Sequence, residues 1–463
     1  MTTTFDPATG AGRKATQRQA VVPVPPPPRP ALGRAAVRAA VVGLVVMLAV
    51  GASTESGAEL HVPGGVATFL GGMAGLAGMY LALVMVVVVS RIPQLERILG
   101  QDGLVRWHRR LGPWPISLLV AHALLVTIGY AEAAKTGALH ELGVLIRSYP
   151  DMLAATVGLG LVVMAGVASI RAVRSRMRRE TWWVMHLYLY LALALSFPHV
   201  LALGPTFVGH PLVQAMWCVV WATTAGTVLV YRVGLPVVRS LRHRLRVVEV
   251  RHEAPGVVSI ICSGRHLSRL AVAGGQFFQW RFLRRGLWWQ AHPYSISAVP
   301  RPPYLRLTVR QIGDHSAAVG RVRPGTRVAI EGPYGAVTAR ARRHQRVLLV
   351  AGGIGVTALR SLLDDLPQSS EPVVVLRAAT EDGLVLRDEM AELVRQRKGR
   401  LHAVVGSRSE AGSARRILAR LVPDLARRDV YVCGRPGFVE EVVAAAQQLG
   451  AHRDAVHYEI YSW

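Results

Sequence analysis

The chain has 463 residues, which is enough for two or three domains, and 51% of them are hydrophobic. Its mean hydropathy of +0.31 is high for a wholly soluble protein, and nearly all long apolar runs lie in the first half. The formal net charge of +26 comes from scattered arginines without an aromatic-interleaved basic stripe, so we expect no nucleic-acid partner.

The first 35 residues form a polar tail with a run of four prolines at 25–28. A segment of this composition cannot bury a hydrophobic core, which predicts disorder for residues 1–35. The first apolar run begins late and lacks a convincing cleavage site, so we expect no cleavable signal peptide.

Six apolar segments follow within residues 36–235, and each is close to the length of about 20 residues that spans a hydrocarbon core as a helix. They cover residues 36–53, 66–90, 112–130, 152–170, 182–203 and 211–233. This pattern predicts an all-α bundle of six transmembrane helices in a lipid bilayer.

The loops between these segments alternate in charge. Loop 91–111 and loop 171–180 each carry five arginines. Loops 53–65 and 204–210 carry neither lysine nor arginine. Because positively charged loops stay on the cytoplasmic side, we expect a multi-pass protein of the plasma membrane whose termini and second half are cytoplasmic.

Four histidines lie in or at the edge of the third and fifth segments: His108, His122, His186 and His199. Ionisable groups at membrane depth are costly and usually functional, and neutral imidazole is an axial ligand of haem iron. His108 and His122 share a helix face, whereas His186 and His199 lie about 140° apart in an ideal helix. We therefore expect Pro198 to break the regular hydrogen-bond ladder there and re-aim the side chain of His199. The pattern predicts two bis-histidine haem sites, an inner pair His108–His186 and an outer pair His122–His199.

The second half of the chain changes character at about residue 242. Short β-type runs separated by glycine and proline turns predict a small antiparallel barrel over 242–340. From residue 345 to 463, strands alternate with helices, which predicts a parallel-sheet α/β domain that binds a nucleotide.

Three motifs occur in order in this half: HPYSIS at 292–297, GGIGVT at 352–357 and CGRP at 433–436. The glycine-rich motif follows an apolar strand and opens a helix, where backbone N–H groups can approach a pyrophosphate. The third motif ends a later strand, at the edge where α/β proteins bind ligands.

With the four histidines and these motifs, residues 36–463 resemble the ferric reductase and NADPH oxidase superfamily, in which a six-helix haem domain is fused to a ferredoxin–NADP reductase-like module. The resemblance implies that NADPH or NADH delivers hydride to FAD. It further implies that single electrons then pass through two b-type haems to a small-molecule acceptor on the outer face. Oxygen, which would give superoxide, and a ferric chelate both remain open as the acceptor, and no partner protein is identified.

The resemblance also implies roles for individual residues near the two reacting rings. Tyr294 and Ser295 would contact the flavin, with Ser295 near N5. Cys433 and Glu459 would lie near the nicotinamide. Trp463, at the end of the chain, would stack on the flavin and move away for hydride transfer.

The remaining implied contacts are with the phosphates and the ribityl chain. For FAD they are His292, Pro293, Arg310 and Ser316; for the nicotinamide dinucleotide they are Gly352, Gly353, Gly355 and Thr357. His315 stands where relatives often have tryptophan, and Ala358 replaces the usual proline after Thr357. Arg377 ends the strand after the glycine-rich motif, and Arg408 follows the next strand. Both could pair with a 2′-phosphate, so we expect NADPH to be preferred over NADH.

Two functions of other classes explain less of the sequence. A haem-free, membrane-anchored flavin reductase that serves a cytoplasmic partner would not need the four membrane histidines. A non-enzymatic transporter or sensor would leave the flavin and nicotinamide motifs without a role.

Overall fold

The computed structural model describes residues 30–54, 59–99, 101–406 and 412–461. The described chain forms two compact units, Pro27–Val238 and Arg239–Trp463. Most of the predicted N-terminal tail lies outside the described residues. The first helix begins at Pro30 rather than at residue 36, because proline is well tolerated in the first turn of a helix.

The first unit is all α-helical. Its helices are α1 (Pro30–Thr54), α2 (Gly65–Val89), α3 (Pro93–Leu99), α4 (Gln101–Leu111), α5 (Pro113–Ala134), α6 (Ala138–Ser148), α7 (Met152–Ser169), α8 (Arg171–Arg174), α9 (Arg179–Leu203) and α10 (Pro211–Thr227). A π-helical turn, Val228–Gly234, joins α10 to α11 (Leu235–His243).

Six helices in the described part of the chain are long and apolar enough to cross a membrane. They are Gly33–Thr54, Gly65–Val89, Gly103–Ala134, Met152–Ser169, Glu180–Leu203 and Pro211–His243. The predicted number of spans is therefore confirmed, and the chain is a multi-pass membrane protein. The last of these helices extends well beyond the predicted end at residue 233, because the helix continues through polar residues after the apolar segment.

The second unit begins with an antiparallel sheet. Its strands are β1 (Leu245–Ala254), β2 (Val257–Ser263), β3 (Phe277–Phe282), β4 (His292–Ser295), β5 (Tyr304–Arg310) and β6 (Arg327–Tyr334), with α12 (Asp314–Val319) between the last two. The strand order is β4-β3-β6-β1-β2-β5. Strand β3 shows why the sheet forms: Phe278, Trp280 and Phe282 alternate inward and are fully buried.

A five-stranded parallel sheet follows in the same unit. It is built from β7 (Val347–Gly352), α13 (Val356–Asp365), β8 (Val373–Ala378), α14 (Arg387–Gln396), β9 (Arg400–Val405), α15 (Ala414–Leu421), β10 (Asp429–Gly434), α16 (Pro436–Gln448) and β11 (Val456–Ile460). The strand order β11-β10-β7-β8-β9 brings the carboxyl ends of β7 and β10 side by side. The predicted antiparallel and parallel sheets are both confirmed.

Candidate cofactor-binding sites

The four membrane histidines form two pairs. The rings of His108, near the end of α4, and His186 in α9 have centroids 5.9 Å apart at an interplanar angle of 79°. The rings of His122 in α5 and His199 in α9 have centroids 6.4 Å apart at 63°. These are the pairs that the sequence predicts. Pro198, which was expected to break the regular hydrogen-bond ladder before His199, lies inside α9, and the helix continues to Leu203.

The geometry of the pairs fits two haems, each held between two imidazoles. A metal–nitrogen bond of about 2 Å on each side of an iron, plus the two ring radii, separates the centroids by about 6 Å. The Nδ1 atom of His122 lies 2.8 Å from the carbonyl oxygen of Gly71, which leaves Nε2 for a metal. The buried Nδ1 atoms of the other three rings have no hydrogen-bond partner among the residues that the structure describes.

Helix α2 leaves room for the outer pair. A Cβ atom on Gly75 would come within 2.7 Å of Nδ1 of His122, so a side chain at this position would displace the ring. The described residues contain no group of three or more histidine, cysteine, aspartate or glutamate side chains that could hold a metal ion. A bis-histidine haem needs only two protein ligands, since the porphyrin supplies the others. Haem ligation by these histidines stays a prediction.

A stack of side chains lies against the inner pair. The indole of Trp182 stacks on His186 with centroids 5.0 Å apart, and the guanidinium of Arg174 lies 3.7 Å from the indole centroid. The indole nitrogen of Trp182 donates a hydrogen bond of 3.3 Å to Ser169 Oγ. No role was predicted for Trp182 from the sequence, although its position one helical turn before His186 indicates that the two rings can meet.

Strand β4 presents the predicted flavin-binding residues. The ring of His292 stacks on His315 with centroids 3.6 Å apart, and Tyr294 Oη lies 3.4 Å from Nδ1 of His315. The indole nitrogen of Trp280 on β3 donates to the carbonyl oxygen of Tyr294 over 2.9 Å. This hydrogen bond holds β4 against the neighbouring strand. An aromatic platform is thus built partly by His315, which stands where the resemblance led us to expect tryptophan.

Two predicted FAD contacts lie further along the sheet. Arg310 is exposed at the end of β5. Ser316 Oγ accepts hydrogen bonds from the N–H groups of Ile312 and Gly313 over 2.9 and 3.0 Å. The structure therefore gives Ser316 a local role in starting α12, and its contact with FAD stays a prediction, as does that of Pro293.

A cavity of about 160 Å³ opens at the carboxyl ends of β7 and β10. It is lined by Arg310, Ile312, Gly352, Gly353, Ile354, Gly434, Arg435, Phe438 and Tyr461. Its glycine-rich wall is closely packed, because a Cβ atom on Gly355 would collide with the carbonyl oxygen of Cys433. Thr357 Oγ1 donates to the carbonyl oxygen of Ile354 over 3.0 Å, which stabilises the turn into α13.

Tyr461 connects this cavity to strand β4. Its Oη lies 3.0 Å from Ser295 Oγ, and its N–H donates to the carbonyl oxygen of Gly434 over 2.8 Å. Burial, followed by the charges of Glu459 and Cys433, raises the pKa of Tyr461 well above its usual range. No role was predicted for Tyr461 from the sequence, although it lies two residues after Glu459, the spacing that places both side chains on one face of an extended segment.

Cys433 and Glu459 are neighbours across β10 and β11 and are both buried. Burial, with the charge of Glu459 as the second cause, raises the pKa of the Cys433 thiol well above its usual range. The thiol is therefore neutral at physiological pH and unsuited to nucleophilic attack. Trp463, which the sequence predicts to cover the flavin, lies outside the described residues.

A second cavity, of about 390 Å³, adjoins the carboxyl ends of β8 and β9. Arg377 and Arg435 both line it, and Arg435 lines the smaller cavity as well. The sequence identified Arg435 only as part of the CGRP motif at 433–436 and predicted no separate role for it. Arg408, the other residue predicted to bind a 2′-phosphate, lies outside the described residues.

Family models match three parts of the chain. The model for the ferric reductase like transmembrane component matches residues 74–197. The model for a FAD-binding domain matches 244–338, and the model for an oxidoreductase NAD-binding domain matches 349–444.

Three individual relatives match between 35% and 48% of the chain. A flavohemoprotein of Deinococcus radiodurans is 26% identical over 178 residues, which are 35% of this chain and 44% of that protein. Ferredoxin–NADP reductase B of Sorangium cellulosum is 30% identical over 187 residues, which are 36% of this chain and 77% of that protein. The FAD/NAD-binding domain of nitric oxide dioxygenase from Vibrio cholerae matches with a TM-score of 0.41 and 21% identity over 48% of this chain and 99% of that one. The chain spans less than half the length of the flavohemoproteins that it matches.

Proposed function

Because the chain belongs to the ferric reductase and NADPH oxidase superfamily and carries a ferredoxin–NADP reductase-like module, we propose that it is a transmembrane flavohaem oxidoreductase. It moves electrons from a nicotinamide dinucleotide, preferably NADPH, to a small-molecule acceptor on the outer face of the plasma membrane. Both termini and the nucleotide-binding module are cytoplasmic, in agreement with the arginine-rich loops. FAD and two b-type haems, when bound, supply the hydride acceptance and one-electron transfer that protein side chains lack.

The observation that carries this proposal is the pairing of the four membrane histidines at 5.9 and 6.4 Å. Each pair would hold one haem, and the hydrogen bond from His122 to Gly71 would fix the ring that faces the outer site. Histidines that merely satisfied local hydrogen bonds would have no reason to meet ring to ring on two separate levels of the bundle.

The second unit would bind and orient the other two cofactors. Gly353 lines the cavity just before α13 begins at Val356. The backbone N–H groups of Gly353 and Gly355, at the N-terminus of this helix, would bind a pyrophosphate. Ser295 and Tyr461 share a hydrogen bond beside that cavity and would orient the reacting rings. The neutral thiol of Cys433 borders the nicotinamide without adding charge.

A haem count tests the proposal. We expect the reduced-minus-oxidised spectrum of the purified full chain to show two b-type haems per chain. His122→Ala and His199→Ala should each leave one haem and retain FAD, and NADPH-dependent dye reduction at the flavin should survive. His140→Ala, at an exposed residue, is the matched control and should leave both haems. A chain that binds FAD but no haem would instead be the haem-free flavin reductase.

A second experiment identifies the acceptor. The full chain in proteoliposomes would receive NADPH on the side of the nucleotide-binding module, with oxygen or a ferric chelate on the other side. Superoxide dismutase distinguishes direct reduction of the ferric chelate from reduction through superoxide. If neither acceptor is reduced across the bilayer, transmembrane electron transfer is refuted.

A further inference from the structure

Three segments of the chain meet at one end of the antiparallel sheet. They are the start of β1, the loop after β3 and the turn before β6. Arg246 on β1 pairs with Arg327 on β6, and the N–H of Leu283 donates to the carbonyl oxygen of Arg327 over 2.9 Å. Arg284 Nη1 donates to the carbonyl oxygen of Arg321 over 2.9 Å. The three segments therefore form one continuous surface.

This surface is strongly cationic. It carries seven exposed arginines, here called the arginine surface: Arg244, Arg246, Arg284, Arg285, Arg321, Arg323 and Arg327. Segments 242–248, 281–289 and 321–328 contain no aspartate or glutamate. None of the seven arginines forms an ion pair with any residue that the structure describes. Their charges therefore attract an anionic partner without competition from the fold itself.

Large apolar side chains project from the same loop. Trp288 is 60% exposed and Leu283 is 46% exposed. The fold holds the loop in this conformation. Arg281 Nη1 donates to the carbonyl oxygens of Trp288 and Trp289, and Leu287 is buried beneath the loop. An exposed indole among arginines is typical of the boundary between lipid headgroups and water.

The position of this surface in the chain favours a lipid partner. Arg244 directly follows His243, the last residue of the sixth helix that is long and apolar enough to cross a membrane. The surface is therefore tethered to a bilayer by its own chain, so its local concentration of headgroups is high. A nucleic acid would be attracted by the same positive charges, but the exposed apolar side chain of Leu283 would add little to its binding.

We propose that the arginine surface, together with Leu283 and Trp288, binds anionic phospholipid headgroups of the bilayer that the chain itself spans. Arginines near an anionic leaflet attract it additively, while the indole and the leucine enter the interfacial region. Removing three of the arginines should lower the equilibrium constant for lipid contact by roughly 100-fold. That change would convert a mostly bound surface into a mostly free one.

The test uses the full chain in nanodiscs of phosphatidylcholine alone or mixed with phosphatidylglycerol. A Trp288→Cys substitution in a Cys218→Ala background accepts an environment-sensitive fluorophore, because Cys262 and Cys433 are fully buried. A label at Gln448→Cys, exposed at the end of α16, is the matched control. Quenching by lipids with brominated chains reports insertion directly.

In the anionic nanodiscs, we expect the fluorescence emission of the label at position 288 to shift to shorter wavelength and to be quenched by the brominated lipids. In the neutral nanodiscs we expect neither effect. Arg284→Gln, Arg285→Gln and Arg323→Gln together should abolish both effects. Three matched substitutions on exposed α15 residues, Arg415→Gln, Arg416→Gln and Arg420→Gln, should leave them intact.

Three outcomes would overturn the proposal. Equal signals in neutral and anionic nanodiscs would mean that headgroup charge does not recruit the surface. Signals that survive the triple substitution would assign the contact to other residues. A spectral shift caused by added double-stranded DNA in neutral nanodiscs, without one in anionic nanodiscs, would identify a nucleic-acid surface instead.

Discussion

Glu389 links the two sheets of the second unit. Its carboxylate accepts two hydrogen bonds of 2.7 Å from Arg306 on β5 and one of 2.8 Å from Arg360 on α13. Burial by itself opposes ionisation of Glu389, but the hydrogen bonds and charges of the two arginines outweigh it and lower its pKa to about 2. The folded state therefore strongly favours the ionised carboxylate.

The size of this effect follows from the pKa. A decrease from 4.5 to about 2 corresponds to about 3 kcal/mol at 1.36 kcal/mol per pKa unit. Because the Glu389 side chain is 33% exposed, solvent screening reduces the expected contribution to about 2 kcal/mol. We predict that Glu389→Gln lowers the free energy of unfolding of the second unit by about 2 kcal/mol at pH 7.

The lowered pKa of Glu389 determines how its contribution to stability changes with pH. A carboxylate whose folded pKa is depressed contributes its full stability above the unfolded pKa, near 4.5, and loses it as the pH falls towards 2. The difference between wild type and Glu389→Gln should therefore be constant above about pH 5 and shrink below it.

The measurement is urea unfolding of the full chain in detergent, followed by flavin fluorescence between pH 7 and pH 3. Glu392→Gln on the same helix is the control, because its ion pair with Arg395 is exposed and should contribute less than about 1 kcal/mol. The reasoning is refuted if Glu389→Gln costs no more than Glu392→Gln, or if its cost is undiminished at pH 3.

Three further predictions concern the candidate sites. Arg377→Ala should lower kcat/KM for NADPH by about tenfold or more and leave NADH unaffected, since a charge-assisted hydrogen bond contributes about 1.5–3 kcal/mol; equal losses with both cofactors would contradict a 2′-phosphate contact. Trp182→Ala should shift the reduction potential of the inner haem and leave the outer one unchanged in a redox titration, because only His186 loses its stacked neighbour. Deleting Trp463 should change flavin fluorescence and the Michaelis constants for both nicotinamides, and unchanged values would exclude stacking on the flavin.

Much of the architecture follows from local patterns in the sequence. Apolar runs of membrane-spanning length predicted the six helices, and short β-type runs separated by glycine and proline turns predicted the antiparallel sheet. The ring-to-ring pairing of His108 with His186, and of His122 with His199, followed from topology, because two helices that each carry an inner and an outer histidine can meet at only two levels. These patterns can be read from the sequence because burial requires apolar residues on every turn of a helix and at every second residue of a strand.

Other features required the tertiary structure. The residues around Ser295 do not predict its hydrogen bond to Tyr461, which lies 166 residues further along the chain. The ion pair of Arg306 with Glu389 likewise joins residues 83 positions apart. Pro198 has no N–H to donate within α9, yet the helix continues past it to Leu203, since packing against neighbouring helices can compensate for one lost backbone hydrogen bond. The sequence by itself determined which elements form and which motifs they carry. Only the packing of distant elements decided which polar side chains meet, because a polar contact depends on the positions of both partners, whereas an apolar face needs only to be buried.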